Sequence, residues 1–277
     1  MGGYFFGGIN LVNPFPSEFQ VWQNNGTSSG LSNNVVSSVI SDNVGNLWIG
    51  TEGGGLNYYD RKSKNFTYYT RQPDGLGSNL IKTIFRDKDG NIWVGTHAGG
   101  LNLYRNGGFI KYFYHPESAA FLNSEISTIA EDSSQRLWLG IQGGIQDLKI
   151  YKRSGINLTD ISEEYNRKAL AGRNIKRIFP DSKGNIWITT SDGLFVVRSD
   201  HKIIESLVCS MLNTPSKISH VTSISEDKNG NIWLGIENGG LKNTILQLNI
   251  CTLIPLKRQV RNMMYWVYWK IEKDIYG

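Results

Sequence analysis

Cysteine, proline and charge are all scarce in this chain. Of its 277 residues two are Cys, seven are Pro and 19% are charged. Cys209 and Cys251 lack the spacing of a metal site, and both are expected as reduced, partly buried thiols rather than a disulfide. Long apolar runs are missing as well. The longest, Met263 to Val267 with Tyr268 and Trp269, falls far short of the roughly 20 residues that span a bilayer, so no membrane segment is expected. Met1 to Asn13 contains no Lys or Arg and is interrupted by Gly2, Gly3, Gly7 and Gly8, which does not read as an export signal. Charge of one sign is not concentrated either. The 29 basic residues outnumber the 24 acidic ones by only five, and Lys257, Arg258 and Arg261 form the sole small basic cluster, so no nucleic-acid partner is expected.

What is abundant is glycine and aromatic side chains. With 31 Gly, 12% aromatic and 39% hydrophobic residues, the chain can bury a sizeable core, and wholesale disorder is excluded.

A repeat organises these residues. Trp48, Trp93, Trp138, Trp187 and Trp233 are spaced by 45, 45, 49 and 46 residues, within the segments GNLWIGTEGGGL, GNIWVGTHAGGL, QRLWLGIQGGI, GNIWITTSDGL and GNIWLGIENGGL. An apolar pair and an Asp precede each Trp at constant offset: Val36, Val39 and Asp42; Ile81, Ile84 and Asp87; Ile126, Ile129 and Asp132; Ile175, Ile178 and Asp181; Val221, Ile224 and Asp227. Within one copy, VVSSVIS, LWIGT, LNYYD and FTYYT are β-rich runs separated by turn signals, which predicts four antiparallel strands per repeat. Four-stranded units of about 45 residues predict an all-β chain, a β-propeller of four-stranded antiparallel blades. A β-solenoid is the competing architecture, but its coils need shorter periods.

The expected organisation is one propeller region over 1–277. Residues 1–32 supply the outer strands of an incomplete blade, 33–261 hold five full repeats, and 262–277 begin a truncated sixth repeat. The outer strands are expected at Ile9 to Asn13 and Phe19 to Trp22, and an inner strand at Tyr268 to Glu272. Their combined blade would lack the Trp-bearing second strand, which predicts imperfect closure and less order in the last 35 or so residues.

The D-x-x-G-N-x-W-x-G-T-x-x-G-G-L pattern resembles the two-component regulator propeller repeat, and the likeness runs over nearly the whole chain. It implies an extracytoplasmic, hence periplasmic, sensor region of a hybrid two-component system of Bacteroides-like bacteria, non-catalytic and responsive to glycan fragments. The implied partners are an oligosaccharide or other small polar ligand, the downstream signalling domains of the same receptor, and a homodimer contact. The chain departs from the pattern at Gln135 and Arg136, at Thr189, and after Leu241.

The repeated Trp residues sit mid-strand in every copy and are expected to fill the wedges between blades rather than to stack on sugars. The repeated Asp residues precede turns and are expected to accept backbone N–H bonds. Gly54, Gly99, Gly144, Gly193 and Gly239 are expected to provide positive φ or close backbone approach after the second strand. The Asp87-Lys88-Asp89-Gly90 and Asp227-Lys228-Asn229-Gly230 runs lack the Glu that closes a calcium loop, so neither metal nor cofactor is expected.

Residues that vary within the repeated frame point to a binding rim. Before the Gly corner stand Glu52, His97, Gln142, Ser191 and Glu237. The loops between blades, on the same face, add Asn79, Arg173 and His220, with Asn34, Ser124, Asn174, Tyr114 and Phe121 around them. Such a polar ring suits a hydroxyl-rich ligand. Glu52 and Glu237 as paired carboxylates, or His97 or His220 as a base, would serve a lyase or glycosidase, but no nucleophile motif accompanies them. A protein-interaction scaffold is the other alternative.

Overall fold

The computed structural model describes residues 2–4, 8–11, 20–26, 29–113, 122–143, 147–199, 202–211, 214–217, 221–236, 240–245 and 250–254. Six antiparallel sheets account for almost all of it. An amino-terminal sheet holds β1 (Gly2–Tyr4), β2 (Gly8–Leu11) and β3 (Gln20–Trp22). The first full blade is β4 (Val36–Ser41), β5 (Leu47–Thr51), β6 (Gly55–Asp60) and β7 (Asn65–Tyr69). The second is β8 (Ile81–Arg86), β9 (Ile92–Thr96), β10 (Leu101–Arg105) and β11 (Gly108–Tyr112). The third is β12 (Ser124–Glu131), β13 (Leu137–Gly143), β14 (Asp147–Ser154) and β15 (Asn157–Asp160). The fourth is β16 (Ile175–Pro180), β17 (Ile186–Thr190), β18 (Leu194–Val197), β19 (Ile204–Met211) and β20 (Thr214–Lys217). The fifth is β21 (Val221–Glu226), β22 (Ile232–Ile236), β23 (Gly240–Ile245) and β24 (Ile250–Ile254). The chain is all-β, with the four-stranded antiparallel blades of a β-propeller.

Two differences from the repeat pattern have local causes. In the amino-terminal sheet β1 occupies the second-strand place that the pattern left unfilled, pairing Gly2 with Asn10 and Tyr4 with Gly8. Ladder bonds are made by backbone, so a strand without its Trp escapes a search keyed on Trp. In the fourth blade β19 outruns β18: Ile204–Leu207 pair with β18, and the overhang Val208–Met211 pairs with the additional β20. The expected inner strand at Tyr268 to Glu272, and with it the closure of the incomplete blade, lies outside the described residues, as do the side chains of Cys209 and Cys251.

The chain forms two compact units, 1–129 with 141–145, and 130–140 with 146–277. In the first unit Trp48 of the first blade packs with Leu76, Ile81, Ile84, Ile92 and Val94 of the second. In the second unit Trp138 packs with Ile175, Ile178, Ile186 and Ile188 of the following blade, and Trp187 with Val221, Ile232 and Leu234 of the next. Trp48, Trp138 and Trp187 are therefore interior packing between successive sheets, while Trp233 is half-buried. Trp93, Trp138 and Trp187 are at most 1% exposed.

In four blades the repeated Asp locks a turn to its Trp. Asp87 Oδ1 accepts the N–H groups of Asp89 (3.0 Å) and Asn91 (2.8 Å), while Oδ2 accepts the Trp93 indole N–H at 2.7 Å. Asp132, Asp181 and Asp227 accept the indoles of Trp138, Trp187 and Trp233 at 2.7, 2.9 and 2.8 Å. In the first blade the Tyr58 hydroxyl takes that place, donating to Asp42 Oδ2 at 3.1 Å. The Trp233 indole, followed by the Asn231 side chain, lowers Asp227 from an ordinary 3.8 to about 2. A depressed carboxylate contributes stability that is full above pH 3.8 and drains away as pH falls toward 2. Urea melts at pH 5 and pH 2.5 are expected to show a loss on acidification that is smaller in Asp227→Asn; equal losses in both proteins would contradict this linkage.

Candidate functional site

The site grows from two local devices. The first is a bulge at the start of the inner strand. Pairing with the second strand skips a residue between Val36 and Ser38, Ile81 and Thr83, Ile175 and Arg177, and Val221 and Ser223. A bulge breaks the alternation of the ladder and re-aims the extra residue; here that residue is Ser37, Lys82, Lys176 or Thr222.

The second device is the Gly corner. Gly100 has φ +67, and a Cβ on Gly99 would stand 2.5 Å from the Gly77 carbonyl carbon and the Ser78 nitrogen, so close backbone approach requires glycine there. The residues before the corner are tied down by backbone. Glu52 N donates to Val35 O, and His97 N to Leu80 O, each at 2.9 Å. Glu52 also bridges Leu80, and His97 bridges Glu125, at the entrance to the following blade. The backbone of both residues is thereby fixed at the entrance to the following blade.

These devices bring four charged or titratable side chains together in the first unit. Lys82 Nζ lies 3.0 Å from Glu52 Oε2 and 3.2 Å from Glu125 Oε2, and His97 Nδ1 lies 3.9 Å from that same Glu125 oxygen. Burial alone would lower the Lys82 ammonium, but the Glu52 hydrogen bond and the Glu125 charge outweigh it and hold it above its ordinary 10.5. The side chains are 24–33% exposed. At that exposure ion pairs contribute about 0–1 kcal/mol each, too little to be what holds the blades together. Arranged as carboxylate, ammonium, carboxylate and imidazole, they offer alternating acceptors and donors suited to hydroxyl groups.

Asn79 is tied to the corner before it. Its side-chain oxygen accepts Arg71 N–H at 2.5 Å, and its carbonyl accepts Gly53 N–H (3.1 Å) and Gly55 N–H (3.0 Å). It thus braces the corner that carries Glu52. The Asn34 side-chain oxygen accepts Asn24 N–H at 2.6 Å, tying the loop after β3 to the loop before β4. Gln142 ends β13 and is half-buried in the first unit. In the second unit Arg173 forms an ion pair with Asp192, the neighbour of exposed Ser191, and its guanidinium sits 5.4 Å over the Phe195 ring. Glu237, His220, Tyr114 and Phe121 lie outside the described residues.

Sequence reasoning missed Lys82 and Glu125. Lys82 stands where other copies have Ser37, Ser127 and Thr222, and Glu125 where two copies have Val35 and Leu80. The Lys82 column also holds Lys176 and the Glu125 column Asn174 and His220, so neither residue stood out until the bulge and the strand entry were seen. A further regularity is the buried Asn after the corner. Asn57 Oδ1 accepts Ser32 N–H at 2.8 Å, and Asn102 Oδ1 accepts Gly77 N–H at 2.9 Å, each pinning the loop that enters the blade. Among the described residues no group of His, Cys, Asp and Glu could hold a metal ion, and no helix is long and apolar enough to cross a membrane.

Blades of this kind define the class as a β-propeller. The two-component regulator propeller model matches residues 30–53, 75–98, 169–192 and 216–238, in four of the five copies. The extracellular domain of the hybrid two component system BT3049 from B. thetaiotaomicron is similar over 90% of this chain, with 27% identity and a TM-score of 0.68. A histidine kinase P4 of Formosa agariphila is 34% identical over 99 residues, 34% of this chain. This chain spans 31% of the former and 7% of the latter. Virginiamycin B lyase from Staphylococcus aureus has a TM-score of 0.59 over 80% of the chain and 70% of its own, but at 14% identity the likeness is one of fold.

Proposed function

We propose that this chain is the ligand-sensing part of an extracytoplasmic, periplasmic two-component sensor, non-catalytic in itself. It binds a carbohydrate fragment at the propeller loops and passes the signal to a histidine kinase elsewhere in the receptor. The observation that carries the reading is the family repeat together with the likeness, over 90% of the chain, to an extracellular domain of a hybrid two component system. The Glu52, Lys82, Glu125 and His97 cluster supports hydroxyl recognition, because its charged groups stand together and contribute little to stability. Sensing then requires only that ligand bind one state of the receptor better than the other.

The test is thermal unfolding against host, plant and microbial oligosaccharides, including unsaturated fragments left by lyases. One glycan class is expected to raise the midpoint, by the equivalent of about 2.7 kcal/mol at a hundredfold excess over Kd. Glu52→Gln with Glu125→Gln is expected to remove that shift while leaving the unliganded midpoint nearly unchanged. A cooperative transition that no sugar moves would overturn the carbohydrate reading.

A further inference from the structure

The repeat is longest between Trp138 and Trp187, 49 residues against the 45 that precede it. Part of that stretch, between β15 and β16, folds into two 3-10 turns, Ser162–Glu164 and Lys168–Leu170. They border a cavity of about 520 Å³ lined by Glu163, Tyr165, Asn166, Arg167, Lys168 and Leu170 among others. That volume falls within the range of small-ligand sites.

The walls of this cavity are built in advance. Tyr165 is 5% exposed, with its ring edge-on to Trp138 at 5.2 Å. Arg167 is anchored at both ends of its guanidinium, donating to Leu148 O at 3.0 Å and to Glu163 Oε1 at 2.5 Å. The Lys202 ammonium lies 5.7 Å and the Arg136 guanidinium 5.9 Å from the centre of the Tyr165 ring. Three of the four cations here have carboxylate partners: Arg136 with Asp132, Arg167 with Glu163, and Lys202 with Glu164. Lys168 is exposed and forms no ion pair among the described residues. The cavity therefore carries an excess positive charge at Lys168, an amide at Asn166 and an apolar wall at Leu170.

We propose that this cavity is a second ligand site, distinct from the Glu52 cluster, and that it takes a small hydroxyl-rich acid of uronic-acid disaccharide size. The carboxylate pairs with Lys168 beside Arg167, and hydroxyl groups of the ring meet the exposed Asn166 amide. An excess cation next to an already neutralised pair favours an anionic ligand over its neutral counterpart.

The experiment is calorimetric titration of the whole chain with digalacturonate and, separately, with neutral galactobiose. Saturable binding of digalacturonate is expected, with galactobiose at least tenfold weaker. Lys168→Glu is expected to weaken digalacturonate about tenfold or more, whereas Glu52→Gln with Glu125→Gln leaves it unchanged. Should Lys168→Glu unfold, Lys168→Ala is expected to give a smaller loss in the same direction. Equal affinity for the two sugars, no saturable digalacturonate binding, or loss of binding in the Glu52 and Glu125 variant instead of the Lys168 variants would overturn the proposal. The last of these results would move the acid to the first site, so the two readings fail separately.

Discussion

Trp93→Ala is expected to destabilise the chain by about 3–5 kcal/mol, the cost of emptying a fully buried Trp site, and to lower the thermal midpoint by on the order of 10 °C. Trp93 is 0% exposed, lies 5.7 Å from the Tyr112 ring and gives its indole N–H to Asp87. Truncation therefore leaves a cavity and takes one donor from a buried carboxylate. Because stacked blades bury each other's faces, the loss is not confined to one sheet. Chemical denaturation of the wild type and variant measures it. A change below about 1 kcal/mol would mean that the site collapses around the missing ring, contrary to the packing described.

The elements legible in the sequence are those with a side-chain signature. Trp48 to Trp233 mark the second strands, and Asp42 to Asp227 mark the turns before them, because an indole and a carboxylate at an offset of six recur as one hydrogen-bonded unit in four blades. The first blade keeps the same residues yet uses Tyr58 for Asp42, a substitution of partner that no spacing reveals. Backbone events left no such mark. Neither β1 nor β20 carries the motif, and both arise because a strand edge was open to pair. The bulges at Ser37, Lys82, Lys176 and Thr222 were equally silent, since a bulge is a slip of register rather than a choice of residue.

That distinction explains why only Glu52 and His97 of the charged cluster stood out in the sequence. Glu52 and His97 occupy variable places beside a repeated glycine and could be read as a rim. Lys82 falls within an inner strand whose alternation places it ambiguously until the bulge is known. Glu125 is joined to it only by the strand entry that bridges His97. Asn79 was read as a rim residue from its place on a loop, and its side-chain oxygen and carbonyl also hold Arg71, Gly53 and Gly55. The charged Glu52 cluster thus stands on a corner whose backbone is fixed by the Asn79 carbonyl.

Asp87→Ala is the second large effect expected, a loss of about 3 kcal/mol, and its origin separates hydrogen bonding from packing. The carboxylate accepts N–H bonds from Asp89, Asn91 and Trp93 at 3.0, 2.8 and 2.7 Å, and the Asn91 side chain adds a fourth donor. Alanine leaves these groups without their acceptor, and the indole of Trp93, at 0% exposure, cannot turn to solvent. Trp93→Phe removes the indole donor while keeping most of the ring. In the double variant the Asp87 truncation then orphans one group fewer, so its added cost should fall by about 1–2 kcal/mol relative to the wild-type background. Such coupling, read from denaturation of the four proteins, would assign that share of the turn's stability to the Asp–Trp bond. Additive losses would instead assign the effect to the backbone turn alone, and the recurrence of Asp and Trp at a fixed offset would then reflect two independent demands of the blade.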